Sequence, residues 1–332
     1  MRRIQQNLIF LVVSAVFMLT VLGCSGGKKD DPTPIPQRIK YANSVFVNNG
    51  DVYVAGTIVE PPIVPLMGSD PRDDEAVLWK NGVIQWRSKK LFSAANSVFA
   101  EGNDVYVGGS ENLTAVLWKN GVIQNIPDAV NSSVASVFVS GDDVYLAGGA
   151  RTRPFAAPAP PHATLWINGV ILYLGDGNSA KSVFVSDGDV YVAGTEYGKA
   201  VLWKNGAKQV LSDIAGSSAS SVFVSGGDVY VAGTEDYNTV LWKNGAKQVL
   251  SNIAGSLERS VFVSGGDIYV VGREGYIAVL WKNGAKQVLS NIEISSANSV
   301  FVSGDDVYVA GTEGDNAVLW KNGVKQVLPV PK

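Results

Sequence analysis

From about Ala42 to its end, the chain repeats one pattern of hydrophobic and polar positions seven times. Each repeat contains four short segments rich in Val, Phe, Tyr and Trp, which are separated by turn residues and show no helical periodicity. One copy reads SVFVSGGDVYVAGTE and then VLWKNGAKQVLS. The pattern therefore predicts four β-strands per repeat, A to D, on Ser-Val-Phe-Val, Asp-Val-Tyr-Val-Ala-Gly, Val-Leu-Trp-Lys and Lys-Gln-Val-Leu.

A serine at the start of strand A and a tryptophan in strand C mark every repeat. The serines are Ser44, Ser97, Ser136, Ser182, Ser221, Ser260 and Ser299, and the tryptophans are Trp79, Trp118, Trp166, Trp203, Trp242, Trp281 and Trp320. Where nothing is inserted, consecutive tryptophans are 39 residues apart, as Trp203 and Trp242 are. A period of this length is typical of solenoids, propellers and arrays.

Asn-Gly joins strands C and D in every repeat, from Asn81-Gly82 to Asn322-Gly323. This dipeptide favours the type I′ turn of a tight hairpin, whereas a six-residue loop is expected between B and C in five repeats. The unit is thus a four-stranded antiparallel meander with large apolar residues on both faces, too small to bury them alone. Seven such sheets predict an all-β fold, a seven-bladed β-propeller with four antiparallel strands per blade. The alternative, an open β-solenoid, has shorter coils and capping ends.

The end of the last repeat predicts how the ring closes. Blade 7 completes its own strand D at Val324 to Leu328, so no strand is shared between the first and last blades. We therefore expect the ring to close by sheet packing alone. Residues 37–41 could still add an edge strand.

The first residues of the chain have the pattern of an export signal. Arg2 and Arg3 precede an apolar run from Leu8 to Leu22, which is too short for a comfortable membrane span. Residues 1–23 are therefore predicted to be a signal peptide, residues 24–40 a lipidated cysteine with a flexible tether, and residues 41–332 the propeller.

Residues 21–24, Val-Leu-Gly-Cys, resemble a bacterial lipobox, in which the cysteine, here Cys24, is lipidated. The alternative is an ordinary secretory signal followed by a free cysteine. The run Lys29-Asp30-Asp31 resembles the export signal of Bacteroidetes-type surface lipoproteins. The repeats are similar to NHL-type blades in strand order, and their VYVAG and LWKNG units look like those of bacterial surface-lipoprotein propellers. This resemblance implies a lipid-anchored protein, exposed at the surface of the bacterial outer membrane.

The charge balance argues against nucleic acid as a partner. The formal net charge is −3, and removal of Arg2 and Arg3 with the signal peptide makes it −5, with acidic and basic residues mixed throughout. Phosphate binding requires a concentrated basic face. Because there is only one cysteine, the core and not a disulfide must stabilise the fold. We expect a monomer without a cofactor or a metal.

Seven aspartates precede Val-Tyr or Ile-Tyr, one per repeat. They are Asp51, Asp104, Asp143, Asp189, Asp228, Asp267 and Asp306. We interpret them as turn residues that satisfy local backbone donors. A calcium loop needs more widely spaced oxygen donors than these turns provide.

Residues common to all repeats must hold the frame, so the residues that differ are the candidates for function. They lie mostly in the B–C loops and just before strand A, and in an antiparallel meander both regions emerge on one face, here called the variable face. Its predicted ligand-binding residues are Tyr197, Tyr237, Tyr276, Glu196, Glu235, Glu274, Glu313, Arg259, Lys181, Arg273, Asn96 and Asn298. The seven strand-A serines are expected to ring the mouth of the central channel.

Both large insertions fall in B–C loops, which also points to the variable face. Blade 1 has 20 loop residues, Thr57 to Ala76, and blade 3 has 15, Gly149 to Ala163. Long loops on a rigid scaffold commonly have a function, although surface loops also drift where nothing penalises change. His162, the only histidine, is interpreted as an exposed loop residue.

Two classes of function fit this face. The first is a cell-surface binding module for a glycan or a protein, because tyrosine among Asn, Asp, Glu and Arg suits sugar recognition and protein interfaces alike. The second is a propeller glycoside hydrolase or lyase that uses acidic residues of the same face, with Asp70, Asp73, Asp74 and Glu75 as its acids. An active site should break the repeat sharply, and we expect only the insertions to do so. We therefore expect binding and not catalysis.

Overall fold

The computed structural model describes residues 38–59, 74–88, 90, 92–127, 129, 131–151, 161–176, 179–253 and 255–330. They form seven four-stranded antiparallel sheets, and each sheet is built from four consecutive strands. The predicted seven-bladed β-propeller is confirmed. The predicted signal peptide, Cys24 and most of the tether lie outside the described residues. Among the described residues, no helix is long and apolar enough to cross a membrane.

The strands have the following bounds. Blade 1 contains β1 (Ile39–Asn48), β2 (Asp51–Val59), β3 (Glu75–Lys80) and β4 (Val83–Ser88), and blade 2 contains β5 (Ala94–Glu101), β6 (Asp104–Glu111), β7 (Thr114–Lys119) and β8 (Val122–Gln124). Blade 3 contains β9 (Ser132–Ser140), β10 (Asp143–Ala150), β11 (His162–Ile167) and β12 (Val170–Gly175), and blade 4 contains β13 (Ala180–Ser186), β14 (Asp189–Glu196), β15 (Lys199–Lys204) and β16 (Ala207–Ser212). Blade 5 contains β17 (Ser218–Ser225), β18 (Asp228–Glu235), β19 (Asn238–Lys243) and β20 (Ala246–Ser251). Blade 6 contains β21 (Leu257–Ser264), β22 (Asp267–Glu274), β23 (Ile277–Lys282) and β24 (Ala285–Val288), and blade 7 contains β25 (Ser295–Ser303), β26 (Asp306–Glu313), β27 (Asn316–Lys321) and β28 (Val324–Val327).

The turns confirm one prediction and correct another. All seven Asn-Gly pairs between strands C and D have positive φ at both residues, as in Asn244 (50°) and Gly245 (82°), which is the type I′ geometry. The expected six-residue B–C loops are wrong. In blade 5, strands B and C stay paired as far as Glu235 and Asn238, so only two residues form the turn. Most of the two insertions, residues 60–73 and 152–160, lies outside the described residues.

Every sheet buries both faces, and the two faces differ. Between blades 4 and 5, Tyr191 and Leu202 of blade 4 pack against Val222, Val231 and Trp242 of blade 5. An equivalent cluster lies at each of the seven contacts between blades. The strand-C tryptophans are at most 1% exposed, so they form the core, as predicted.

Two closed rings connect the strands A around the axis. The phenylalanine of each strand A contacts those of both neighbouring blades, with ring centroids 4.6–4.9 Å apart. The strand-A serines also form a ring: each Oγ accepts a hydrogen bond of 3.1–3.3 Å from a valine N–H of the next blade. The serines therefore tie blade to blade, and strand A is the innermost strand of every sheet.

The ring closes without a shared strand, as expected, but packing is not its only support. An apolar cluster joins the two chain ends, with Trp79 of blade 1 against Leu319 and Leu328 of blade 7. Four hydrogen bonds add to it. They join Lys40 N to Asp315 O (3.1 Å), Val45 N to Ser299 Oγ (3.1 Å), Trp79 Nε1 to Pro329 O (2.9 Å) and Asn298 Nδ2 to Ala42 O (2.9 Å). Residues 39–41 extend β1 and do not form a separate strand.

The aspartates before Val-Tyr or Ile-Tyr bind side chains, so the expectation of local backbone donors is wrong. In blade 5, Asp228 accepts hydrogen bonds from Asn244 Nδ2 (2.7 Å) and Tyr230 Oη (3.4 Å). It also forms an ion pair with Lys243 Nζ (2.7 Å). In six blades the lysine, and after it the asparagine, lowers the pKa of this aspartate. In blade 3, Ile167 replaces the lysine. The cluster joins the A–B turn to the C–D turn.

Strand A has a β-bulge in every blade, and the bulge explains the frame glycine opposite it. In blade 5, Ala219 pairs with Gly233 and Ser221 with Ala232, which leaves Ser220 unpaired. A Cβ on Gly233 would lie 2.2 Å from Ser218 O and 2.3 Å from the Trp242 ring. Only glycine fits so close to a neighbouring backbone.

Candidate functional site at the channel mouth

The seven bulged residues are the variable residues before strand A that the sequence singles out. They are Asn43, Asn96, Ala135, Lys181, Ser220, Arg259 and Asn298. A bulge re-aims a side chain, and these bulges all lie on the innermost strand. The fold therefore sets one variable side chain per blade at the mouth of the channel.

Asn96 and Asn298 link neighbouring blades, a role that comparison of the repeats does not reveal. Asn96 Nδ2 donates to Val134 O (2.8 Å), and Asn298 Nδ2 donates to Ala42 O (2.9 Å). Each acceptor is a backbone carbonyl of the next blade, so no side-chain pattern in the sequence could identify it.

A pocket of about 420 Å³ opens where blades 6, 7 and 1 meet. Four predicted binding residues line this arginine pocket: Arg259, Arg273, Tyr276 and Asn298. The rest of the lining was not among the predicted binding residues. It consists of Tyr41, Asn43, Ile294, Ser295, Ser296 and Thr312.

Both arginines of the pocket stand where other blades have smaller side chains. The Arg273 guanidinium lies 5.8 Å from the centre of the Tyr276 ring, and its Nε is buried without a hydrogen-bond partner. Arg259 is exposed to solvent, and its side chain is partly surrounded by protein atoms where it lines the pocket. This partial burial, and then the charge of Arg273, lowers the pKa of Arg259. The two guanidinium groups are thus close enough to repel each other.

Glu258 is the functional candidate that sequence reasoning missed. It is 2% exposed and replaces the alanine or valine of the other six blades. Its Oε1 accepts from Ser220 Oγ (2.9 Å) and its Oε2 from Thr234 Oγ1 (2.8 Å), across the contact between blades 5 and 6. Burial raises the pKa of Glu258 to about 7. The expectation that only the insertions break the repeat is therefore wrong. The sequence does show the change, because blade 6 reads LERSVF where blade 5 reads SASSVF.

Lys181 belongs to the same stretch of the mouth. Its Nζ donates to Ser218 Oγ (2.6 Å), and burial lowers its pKa, although the charge of Glu258 opposes that shift. Lys181, Glu258 and Arg259 therefore influence one another's ionisation over blades 4 to 6, while only Arg259 lines the arginine pocket.

The predicted glutamates end strand B in contacts that hold the frame, so their predicted placement in loops is wrong. Glu274, for example, accepts from Lys286 Nζ (2.5 Å) and from Ser251 Oγ (2.7 Å) of the preceding blade. Corresponding ion pairs to strand D are Glu196–Lys208, Glu235–Lys247 and Glu313–Lys325, while Glu111 pairs with Lys90, which lies between blades 1 and 2. Burial opposes ionisation of Glu235, Glu274 and Glu313, but the lysine and serine hydrogen bonds outweigh it and lower each pKa.

The three predicted tyrosines are highly exposed on B–C turns of consecutive blades. Tyr197 is 67%, Tyr237 82% and Tyr276 67% exposed. Only Tyr276 lines the arginine pocket. Tyr197 and Tyr237 have φ of 48° and 62°, a left-handed conformation that costs a bulky residue roughly 1–2 kcal/mol.

Within the part of the chain that the structure describes, the acids considered for catalysis do not form a cluster. Asp70 and Asp73 lie outside that part, and Glu75 forms an ion pair with Arg87 (3.2 Å). His162 begins β11 and lies 2.7 Å from Asp176 through Nδ1, so its interpretation as an exposed loop residue is wrong. Among the described residues, no group of three or more His, Cys, Asp and Glu side chains is placed to hold a metal.

No protein-family model matches this chain, and no curated protein matches it. A solved structure that does match is the extracellular domain of a B. thetaiotaomicron protein described as a one component system. It is 8% identical, with a TM-score of 0.44, over 86% of this chain and 46% of that chain. The present chain thus spans less than half of that structure, and the low similarity carries no argument about function.

Proposed function

We propose that this protein is a binding module that recognises a glycan through its variable face. The arginine pocket is the observation on which the proposal depends. Most of the described variable side chains form hydrogen bonds to a neighbouring blade, as Asn96 and Glu274 do. In the pocket, by contrast, two arginines and a tyrosine that replace repeat residues face a common space.

The exposed tyrosines support the choice of a sugar as the ligand. A tyrosine ring can cover the apolar side of a pyranose, while nearby amides and hydroxyls bind the sugar hydroxyls. Tyr197 and Tyr237 keep a large ring in a turn conformation that favours Gly or Asn. Strained, exposed aromatic residues of this kind are a reason to infer function.

A binding role is favoured over the hydrolase or lyase alternative. The glutamates that could have supplied a pair of catalytic carboxyl groups are held in ion pairs with lysines. Glu258 has a raised pKa, but two hydroxyl groups occupy its oxygens and it does not line the pocket. A protein ligand is the outcome to consider if no glycan binds.

The first test is glycan binding by the full-length protein, purified in detergent, and by a variant with Tyr197→Ala, Tyr237→Ala and Tyr276→Ala. We expect a specific glycan signal from the wild type on a glycan array and its loss in the variant, because each change removes an exposed aromatic surface. The signal should fall at least about fivefold, since one aromatic contact contributes about 1 kcal/mol.

The matched control changes three exposed apolar residues beside the C–D turns, at the other end of the blades: Val83→Ala, Val170→Ala and Val324→Ala. These side chains are 60%, 72% and 72% exposed, so the control should keep glycan binding. If no glycan binds, or if the tyrosine variant folds and binds as well as the wild type, the glycan proposal is wrong.

The location of the protein is part of the same proposal: a lipid on Cys24 anchors it at the surface of the outer membrane, as a monomer. The lipobox-like residues 21–24 and the polar residues that follow support this. Cys24→Ser should abolish incorporation of labelled palmitate, because it removes the thiol that would carry the lipid. Ser25→Ala is the control and should behave as the wild type. Incorporation of the label by Cys24→Ser would contradict the anchor.

A further inference from the structure

Resting on the proposed function, we propose that the arginine pocket binds a sugar that bears a carboxylate, whose anionic group lies between Arg259 and Arg273. The pocket volume of about 420 Å³ falls within the range of small-molecule sites, roughly 300–1,000 Å³. Its lining combines two guanidinium groups with tyrosine, amide and hydroxyl groups. This is the chemistry that an acidic sugar requires.

The first step of the argument is the absence of an internal counter-ion. No carboxylate lines the pocket, and among the described residues neither Arg259 nor Arg273 forms an ion pair. By contrast, the lysines that end strand C or lie within strand D pair regularly with an aspartate or glutamate, as Lys243 and Lys286 do. The charge of Glu258 acts on Arg259 from outside the pocket, but within the described part of the chain neither arginine has the directly bonded carboxylate that these lysines have.

The nearest acid does not fill this role. Glu258 directly precedes Arg259 in the chain, but its carboxyl group binds Ser220 and Thr234 of blade 5. The bulge at Arg259 separates the directions of the two side chains, since Glu258 is paired in the ladder and Arg259 is not. Glu258 therefore faces blade 5, while Arg259 lines the pocket beside blade 7.

The Arg273 guanidinium lines the pocket without an internal partner among the described residues. Its Nε is buried and has no hydrogen-bond partner, and an unsatisfied buried donor is costly. Guanidinium groups bind carboxylates with paired, charge-assisted hydrogen bonds. A carboxylate in the pocket would bind the terminal nitrogens of Arg273, which are not buried and have no hydrogen-bond partner in the described part of the chain, and would reduce the repulsion between the two arginines.

The neutral part of the pocket favours a sugar over a free anion. Tyr276 lies beside the Arg273 guanidinium, and Tyr41 is on the other side of the lining, in blade 1. Ser296 and Asn298 also line this space. Ser296 Oγ donates to Asn298 Oδ1 (2.9 Å) and Asn298 Nδ2 donates to Ala42 O (2.9 Å), so these side chains offer a ligand mainly acceptor oxygens. A ring with several hydroxyl groups uses these contacts, whereas an inorganic anion uses only the arginines.

The test measures binding of tetragalacturonic acid to the full-length protein in detergent by calorimetry, beside its methyl ester and inorganic sulfate. Two variants restore residues that other blades have: Arg259→Asn, as in Asn43 and Asn96, and Arg273→Thr, as in Thr234 and Thr312. Because the repeat tolerates these residues, both variants should fold. We expect each to weaken binding of the acid by about 10- to 100-fold, since bonds to charged groups contribute about 1.5–3 kcal/mol.

Lys321→Ala is the control for net charge, because it removes one positive charge at the C–D turn end and should leave binding unchanged. The methyl ester should bind much more weakly than the acid. Equal binding of acid and ester, or undiminished binding by both arginine variants, overturns the carboxylate proposal and leaves the glycan proposal standing. Binding of sulfate without binding of the acid overturns the sugar part. Binding of neither sugar form overturns the inference, and the array result then decides whether other glycans are recognised.

Discussion

Replacement of Trp79 by alanine should lower the free energy of unfolding by about 3–5 kcal/mol, as expected for a large aromatic residue removed from a core. Trp79 has no exposed surface and lies in the cluster that joins blade 1 to blade 7. Its Nε1 also donates to Pro329 O (2.9 Å), 250 residues away. The change therefore removes core volume at the one contact where the two ends of the chain must meet.

Trp203 provides a matched comparison, because it occupies the same position in blade 4 and is also fully buried. Its Nε1 has no hydrogen-bond partner. Trp203→Ala should cost about as much in packing as Trp79→Ala, and urea unfolding of both variants would measure this. The phenylalanine variants should differ more clearly.

Trp79→Phe leaves Pro329 O without its donor, whereas Trp203→Phe removes a donor that was already unsatisfied. Pro329 is exposed, so water can replace the lost donor, and we expect Trp79→Phe to be the more destabilising by about 0.5–1.5 kcal/mol, the net contribution of one hydrogen bond. Equal effects of the two phenylalanine variants would show that the bond to Pro329 contributes nothing to closure of the ring.

Replacement of Glu258 by glutamine should stabilise the protein at alkaline pH by about 3 kcal/mol and have little effect near pH 4.5. Burial raises the pKa of Glu258 from 4.5 to about 7, so the folded protein holds this proton more tightly than the unfolded chain does. The stability that comes from the protonated form is complete below about pH 4.5 and is lost as the pH rises through about 7. The size follows from 1.36 kcal/mol per pKa unit.

Glutamine has nearly the same shape and stays neutral, so the variant separates the effect of Glu258 ionisation on stability from the effect of its packing. Ser220 and Thr234 can still bind its side chain, because a hydroxyl group can donate or accept. Glu101→Gln, at the exposed end of β5, is the control and should follow the wild-type pH profile. Urea unfolding at pH 5 and pH 8.5 would measure the difference. A stability difference between Glu258→Gln and the wild type that is the same at both pH values would contradict the expected burial of the charge.

Much of the blade could be predicted because its interactions are local in the chain. Asn244-Gly245 selects its turn through φ angles alone, and the alternating apolar residues of strands A to C define two faces to bury. The frame aspartates illustrate the limit of this reasoning. Asp228 was correctly assigned to the frame, but its partners, Asn244 and Lys243, lie across the blade in another turn.

The variable face was predicted less well, because variation between repeats identifies a position and not its surroundings. Glu274 and Arg273 are neighbours in the sequence and both were predicted to bind ligand. The structure gives Glu274 a lysine and a serine as partners, and places Arg273 in the pocket. Which of the two side chains is committed to the frame depends on the preceding and following blades.

The sequence by itself determined the number of blades, the order of the strands and the end of each blade at which variable residues gather. These follow from a repeated pattern whose contacts join residues within one repeat. Only the tertiary structure decided that Glu258 is buried against Ser220 and Thr234, that Trp79 meets Pro329, and that residues of blades 6, 7 and 1 enclose one pocket. Each of these contacts crosses between blades, so it exists only after the sheets have stacked and the ring has closed.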